Sequence, residues 1–135
     1  MEFTTQIGTT QEQSKRLLAL GLKAETADMR YQTHYFDMGG ILKECTPTLE
    51  PYPPLNNDRF IPAWSLHRLL AMLTYQVIYN DTKYEPGIAL DGMDYHDVCT
   101  DDPVVGWSGD LYTDVIDCIE WVIGQEQFNP DYLKG

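Results

Sequence analysis

Leucine recurs at helical spacing in "IPAWSLHRLLAML", residues 61–73, and this pattern restricts the fold more than any other stretch of the chain. The row, at positions i, i+3, i+4, i+7 and i+11, consists of Leu66, Leu69, Leu70, Leu73 and Val77. This spacing places the side chains on one face of an α-helix, and burying each leucine contributes about 1.5–3 kcal/mol. Pro62 suits the first helical turn, where its missing N–H is no loss. We therefore predict a helix that begins near Pro62, ends near Leu73 or Thr74, and packs its leucines inward against a sheet.

His67 stands beside this row, about 100° around the helix from Leu66. A histidine at the border of an apolar stripe, without a catalytic or metal-binding partner at a meaningful spacing, is typical of a structural residue. We interpret His67 as part of the scaffold.

Two further segments carry helical signals. In "TTQEQSKRLLALG" (residues 9–21), a threonine can cap the helix, and Gly21 favours the left-handed conformation in which helices often end. In "DLYTDVIDCIEWVIGQEQF" (residues 110–128), Asp110 or Ser108 can act as the cap, and apolar residues form a broad face. Both segments predict amphipathic helices that cover a core.

Alternating side chains predict strands between these helices. "RYQTHYFDMGGILKEC" (residues 30–45) favours one or two short strands about a turn at Gly39–Gly40. "TYQVIYNDTKYEPGIALDGMDYHDVCTDD" (residues 74–102) is typical of a β-meander, with turn signals at Asn80–Asp81 and Asp91–Gly92. The order of elements predicts an α+β fold, with a small antiparallel sheet (the β-meander) covered by about three helices.

Five prolines crowd residues 47–62. Proline fixes φ and lacks an N–H, so this density excludes a helix interior or a central strand and predicts a surface loop at about 47–62. For the same reason, Pro86 places its strand at a sheet edge. A length of 135 residues suits one domain, and we predict a single α+β domain over residues 1–135.

The net charge of −12 is concentrated in one part of the chain. Residues 1–80 hold eight acidic and seven basic residues, whereas residues 81–120 hold eleven acidic residues and one base, Lys83. Nucleic acids and anionic lipids are bound through cationic surfaces, so we predict no direct contact with either. No apolar run approaches the roughly 20 residues that a membrane-spanning helix needs.

Cys45, Cys99 and Cys118 are odd in number, and a disulfide scaffold of this size would need more cysteines. The opening residues, "MEFTTQIGTTQEQ", lack the basic and apolar regions of a secretory signal. Together these features predict a cytoplasmic protein with reduced thiols.

The densest group of polar residues lies in "ALDGMDYHDVCTDD" and consists of Asp91, Asp94, His96, Asp97, Asp101 and Asp102. The spacing does not match a calcium-binding EF-hand loop, because Met93 and Tyr95 occupy ligand positions when the loop is counted from Asp91. On a strand, Asp94 and His96 share one face and Asp97 faces the other. We predict an acidic sheet edge that discourages aggregation, and keep a metal-dependent site at residues 91–102 as an alternative.

No catalytic motif accompanies these residues. The chain contains neither a Gly-x-Ser-x-Gly nor a Ser-x-x-Lys sequence, and no glycine-rich phosphate loop. Cys118 lies on the apolar face of its predicted helix, where a thiolate is disfavoured. We predict that the protein is not an enzyme and uses no cofactor.

Two tryptophans lie on the polar sides of the predicted helices. Trp64 is about 160° from Leu66, and Trp121 projects with Asp114 and Asp117. Exposed tryptophans ringed by charge are typical of interface hot spots, so one hypothesis is an interaction surface made of Trp64, Asp114, Asp117 and Trp121. We favour the other interpretation, in which both rings are covered, Trp64 at the start of its helix and Trp121 under the Pro-rich loop or the C-terminal tail.

Three segments carry a resemblance to a known group of proteins: "SKRLLALGLKAETADM" (14–29), "IPAWSLHRLLAML" (61–73) and "DLYTDVIDCIEWVI" (110–123). With Pro-Ala-Trp-Ser-Leu as its most specific part, the chain resembles a family of small uncharacterised proteins of gut anaerobic bacteria and their prophages or mobile elements. The resemblance covers about a third of the chain. It implies a compact α+β domain of phage or mobile-element origin, and it assigns no activity and no site residue.

The sequence leaves three functional hypotheses. The first is a non-enzymatic accessory protein that acts by protein–protein interaction, with an unidentified partner or a second copy of the chain. The second is an acidic DNA mimic that inhibits a nucleic-acid-binding protein, which requires carboxylates in rows over one face. The third is a metal-dependent enzyme that uses residues 91–102.

Overall fold

A computed structural model of the protein describes residues 6–55 and 60–134. The chain divides into two compact units, residues 1–68 and residues 69–135. The described residues contain three α-helices and nine strands, and every strand pairing is antiparallel. The protein has the predicted α+β fold, while a single domain over residues 1–135 stays a prediction.

Helix α1 of the first unit spans Gln11–Ala19 and begins with a capping box. The Thr10 side chain accepts a hydrogen bond from the Gln13 N–H (3.1 Å), and the Gln13 side chain accepts one from the Thr10 N–H (2.9 Å). Gly21, at φ +104°, follows the end of the helix. The predicted helix and its two boundary signals are confirmed.

The first unit holds a three-stranded sheet in the order β4–β1–β5, formed by β1 (Met29–Gln32), β4 (Thr48–Glu50) and β5 (Phe60–Ala63). The expectation that residues 47–62 form only a loop is therefore wrong. Pro62 lies in β5 opposite Arg30, not in a helix. A proline is accepted there because β5 is an edge strand, where one side of the backbone needs no partner. Within the predicted loop, residues 56–59 lie outside the described residues.

Arg30 fixes the Pro-rich segment to the sheet. Its guanidinium lies over the rings of Phe60 (4.5 Å to the centroid) and Tyr52 (5.5 Å), and its Nε is 3.2 Å from the Glu50 carboxylate. Cation–π and charge-assisted contacts thus add to the backbone pairing of β4 and β5 with β1.

A separate two-stranded hairpin joins β2 (Tyr35–Met38) to β3 (Ile41–Glu44). Gly39 and Gly40 form its turn with positive φ angles, as the sequence predicted. All eight strand residues are exposed. The large apolar side chains left in solvent on this hairpin are Tyr35, Phe36, Met38, Ile41 and Leu42.

Helix α2 spans Leu66–Met72 and begins after Ser65, whose side chain accepts a hydrogen bond from the Arg68 N–H (3.1 Å). Its fully buried residues are Leu69 and Met72, so the predicted five-residue leucine row is wrong in part. Val77 belongs to a strand, and Leu70 and Leu73 line an open apolar cavity of about 250 Å³. His67 is exposed and does not line that cavity.

The second unit holds a four-stranded meander in the order β6–β7–β8–β9. Its strands are β6 (Val77–Tyr79), β7 (Thr82–Ala89), β8 (Gly92–Asp97) and β9 (Pro103–Gly106). The meander and its first turn are confirmed, since Asn80 and Asp81 both have positive φ angles. The second turn lies one residue earlier than predicted, because Gly92 pairs with Ala89.

The prediction that Pro86 lies in an edge strand is wrong, since β7 lies between β6 and β8. The sheet tolerates this proline because β6 is short. The pairing of β6 with β7 ends at Val77, which lies opposite Tyr84, so no β6 residue pairs with Pro86. The proline therefore has an edge-like position within an internal strand.

Helix α3 spans Leu111–Gly124 and is capped by Asp110, whose carboxylate accepts a hydrogen bond from the Thr113 N–H (3.0 Å). The helix packs against β8 and β9 and buries seven of its residues. None of the described helices combines the length and the apolar character that a membrane crossing requires.

Candidate functional site

Trp107 is the exposed tryptophan of this protein, with 48% of its surface accessible, whereas Trp64 is fully buried and Trp121 is partly covered. The sequence reasoning did not single it out, because it belongs to no helix or strand. The available signal is a pair of glycines, Gly106 and Gly109, that flank Trp107 and Ser108 in "GWSG". Such a segment predicts a turn that presents its tryptophan outside the regular elements.

Two hydrogen bonds fix Trp107 over the start of β8. Its backbone N–H donates to the Met93 carbonyl (3.2 Å), and its indole N–H donates to the Asp94 carboxylate (2.8 Å). Its φ of +59° is unusual for a bulky residue and costs about 1–3 kcal/mol. The two hydrogen bonds therefore hold the backbone of Trp107 in a strained conformation and its aromatic ring in an exposed position.

Two glycines make this arrangement sterically allowed. A Cβ atom at Gly92 would overlap the indole ring of Trp107, and a Cβ atom at Gly106 would overlap the Met93 carbonyl. Gly106 also has a φ of +118°. The close approach of the tryptophan to β8 thus requires the absence of side chains at both positions.

Asp94 and His96 form a hydrogen-bonded pair beside Trp107. The carboxylate of Asp94, whose side chain is 12% exposed, lies 2.9 Å from His96 Nδ1. The two residues share one face of β8, as the sequence predicted. Gly87 on β7 leaves room for them, since a Cβ atom there would lie 3.0 Å from the imidazole.

These residues line an open cleft of about 280 Å³ on the second unit, together with Ile88, Ala89 and Asp101. Asp94 and His96 lie on one face of the meander. Tyr84 and Tyr95, which contact Trp121 of α3, lie on the opposite face. The charged residues of the cleft are the carboxylates of Asp94 and Asp101 and, when protonated, His96. The cleft therefore combines an aromatic wall with negative charge.

Asp114, predicted to belong to an interaction surface, is fully buried, and that prediction is wrong. Its carboxylate accepts hydrogen bonds from the Ser108 N–H (2.6 Å) and the Met93 N–H (3.2 Å). The carboxylate is turned inward because two backbone donors at the start of β8 and in the 106–109 loop need an acceptor. Asp114 thus holds the loop that carries Trp107 against β8, and its carboxylate is not available to a partner.

Trp64 is also buried, so the favoured interpretation that its ring is covered is confirmed, and Trp64 does not belong to an exposed surface. Trp64 follows β5 and precedes α2, so an angle measured around a helix does not apply to it. Its indole N–H donates to the Thr26 hydroxyl (3.0 Å), and its backbone N–H donates to the Thr9 hydroxyl (3.1 Å). It serves the core of the first unit.

Trp121 packs against three tyrosine rings of the meander, at centroid distances of 5.4 Å (Tyr95), 5.5 Å (Tyr84) and 6.1 Å (Tyr79). It thus helps to attach α3 to the sheet, and its ring is partly covered by these tyrosines. Asp117 is half-buried on the same helix and engaged in an interaction. Of the four residues of the hypothesised surface, Trp64 and Asp114 are fully buried and therefore cannot contact a partner.

Cys118 lies in the core of the second unit. Burial, with smaller effects from Asp114 and other nearby carboxylates, raises the pKa of this thiol to about 12. At neutral pH the thiol stays protonated, which does not suit a nucleophile.

Within residues 6–55 and 60–134, no three histidine, cysteine, aspartate or glutamate side chains converge as a metal site would require. The Asp94–His96 pair resembles the orienting acid and base of hydrolases, but the cleft is lined by no hydroxyl, thiol or amine that the base would activate. The arrangement is better suited to binding a cation than to nucleophilic catalysis.

Comparison with known proteins gave no relative: no protein-family model, curated protein or solved structure matches the chain. The candidate site therefore stands on its own geometry.

Proposed function

We propose that this protein acts without catalysis, by binding another protein, and that the contact surface is Trp107 with its adjacent cleft. The observation that carries the proposal is the exposed indole ring, held by Asp94 and by a strained backbone. Tryptophan is enriched among the residues that dominate binding energy. A ring that is fixed before binding loses little conformational entropy on association.

The charge of the second unit supports a basic partner. Residues 69–135 hold thirteen acidic residues and two basic residues, Lys83 and Lys134. A basic protein surface would be steered towards this unit, and salt would weaken the association.

The positions of the acidic residues favour a contact surface over DNA mimicry. Mimicry requires rows of carboxylates on one face, whereas many carboxylates of this unit lie in separate turns and loops: Asp81, Asp91, Asp101, Asp102, Asp110 and Glu126. Asp94 and Asp114 are buried. A phage or mobile-element origin and a cytoplasmic location stay predictions.

The test uses fluorescently labelled octapeptides in which glycine alternates with arginine, lysine or glutamate. We expect the basic peptides to bind and the acidic peptide not to bind, with affinity falling as salt rises. Trp107→Asn should weaken binding at least about fivefold, the effect of a residue that contributes about 1 kcal/mol. Asparagine accepts the positive φ of this position, which protects the loop.

Tyr75→Asn is the matched control, because Tyr75 is a 72% exposed aromatic residue of the same unit that does not line the cleft. It should bind the basic peptides as the wild type does. Equal losses in the two variants, or no binding of basic peptides to the wild type, would overturn the proposal.

A further inference from the structure

We propose that the cleft beside Trp107 binds the guanidinium group of an arginine side chain. This inference rests on the proposed function, because it names the part of the partner protein that the surface recognises. It follows from the size of the cleft, its aromatic wall and its charge.

The size of the cleft suits a single side chain. Its volume of about 280 Å³ lies at the lower end of small-molecule pockets, which span about 300–1,000 Å³. The β7 residues that line it are Gly87, Ile88 and Ala89, so this strand contributes one large apolar side chain, that of Ile88, and no charge. A flat group can lie there beside the indole ring.

The aromatic wall favours a planar cation. Guanidinium groups stack on indole faces, where the electrostatic attraction of the ring adds to van der Waals contact. The indole N–H of Trp107 is already bonded to Asp94, so the orientation of the ring is set before a ligand arrives.

The direct acceptor for the guanidinium is Asp101. Asp94 is occupied by His96 and Trp107, whereas Asp101 is exposed at the rim of the cleft. The backbone N–H of Asp101 donates to the Asp97 carbonyl (2.8 Å), which fixes this part of the loop. A carboxylate at the rim and an indole wall are the two groups that an arginine side chain can contact at once.

A lysine ammonium suits this cleft less well. It is a compact and strongly hydrated charge, and an open cleft with one aromatic wall does not replace its water. Anions are repelled by the two carboxylates. The cleft therefore distinguishes arginine from lysine by shape and hydration, not by charge.

The test follows the NMR signal of the Trp107 indole N–H, assigned by its loss in Trp107→Phe, during titration with methylguanidinium, methylammonium and methylurea. We expect a saturable shift with methylguanidinium, an affinity at least about fivefold weaker for methylammonium, and no binding of neutral methylurea. Asp101→Asn should weaken methylguanidinium binding at least about threefold.

Asp81→Asn is the matched control. Asp81 and Asp101 are both exposed, belong to the same unit and have nearly equal φ angles of +61° and +63°, which asparagine also accepts. Equal affinities for the two cations, or equal losses in the two variants, would overturn the arginine site. If the basic octapeptides still bound through Trp107, the proposed function would stand without it; if they did not bind, the proposed function would fail separately.

Discussion

Two hairpins of this protein have similar local sequence signals but differ in how much tertiary packing stabilises them. The β2–β3 hairpin has a Gly39–Gly40 turn, four residue pairs and exposed side chains throughout. The β7–β8 hairpin has six pairs, and its Met93 and Tyr95 are buried. Helix α3 packs against β8, whereas the described contacts give β2–β3 no comparable helix. Strand-forming patterns thus set local conformation in both places, and tertiary packing separates a stable sheet from an exposed one.

The largest difference is expected in the free energy of unfolding, when a tyrosine in each hairpin is replaced by alanine. Tyr95→Ala should lower the free energy of unfolding by about 3–5 kcal/mol, because it removes a buried ring that contacts Trp121. Its hydroxyl also donates to the Thr74 carbonyl (2.5 Å). Tyr35→Ala, at a residue 57% exposed, should change stability by no more than about 0.5 kcal/mol. Urea denaturation of both variants measures the difference, and equal costs would contradict the distinction between the hairpins.

The next effect concerns the buried carboxylate at the base of the Trp107 loop. Asp114→Asn should cost about 2–3 kcal/mol, because its amide cannot accept both backbone N–H groups as a carboxylate does. Asp110→Asn is the control on the same helix, and it should cost only a few tenths of a kcal/mol because asparagine caps helices as well as aspartate. Thermal denaturation of both variants tests this order. A stable Asp114→Asn variant would show that the carboxylate does not hold the loop.

Hydrogen exchange compares the two hairpins directly. Amides of β2 and β3 should exchange through local opening that costs little free energy, since an isolated two-stranded hairpin is marginally stable in water. The paired amides of β8 should exchange only with opening of the meander. Residue-resolved exchange measured by NMR tests this, and equal protection of β3 and β8 would contradict it.

The smallest effect is a loss of stability in alkaline solution. Burial raises the pKa of Cys118 from 9.0 to about 12, and burial also raises the pKa of Tyr95 above its ordinary value of 10.0. The unfolded chain therefore releases these protons at lower pH than the folded protein. Stability from these groups is complete below pH 9 and is lost as the pH rises towards 12.

Urea denaturation between pH 8 and pH 11 measures this loss. Cys118→Ala should show a shallower decline than the wild type, because one of the two groups has been removed. An identical slope in both proteins would exclude a contribution from the thiol.

Much of the fold follows from local sequence signals. The Thr10 cap, the glycine after α1, the Gly39–Gly40 turn and the capped α3 are all readable because each depends on neighbours within a few residues. The strand at Pro62 was not readable, because its pairing with β1 joins residues that are distant in sequence.

The candidate site was harder to predict. The Asp94–His96 face followed from strand alternation, but the role of Trp107 depends on a hydrogen bond to a residue thirteen positions earlier. The helix start predicted at Pro62 gives Trp64 a position on a helix, whereas α2 begins only after Ser65. Both errors arise where tertiary pairing overrides a plausible local pattern.

Quenching of tryptophan fluorescence tests the central claim most directly, namely that Trp107 is the exposed tryptophan in an acidic environment. We predict that caesium quenches the fluorescence of the wild type more than iodide does, because the negative charge of the second unit attracts cations and repels anions. Trp107→Phe should remove most of the quenching by caesium. If Trp107→Phe left caesium quenching unchanged, or if iodide were the better quencher, the exposed acidic site around Trp107 would be contradicted.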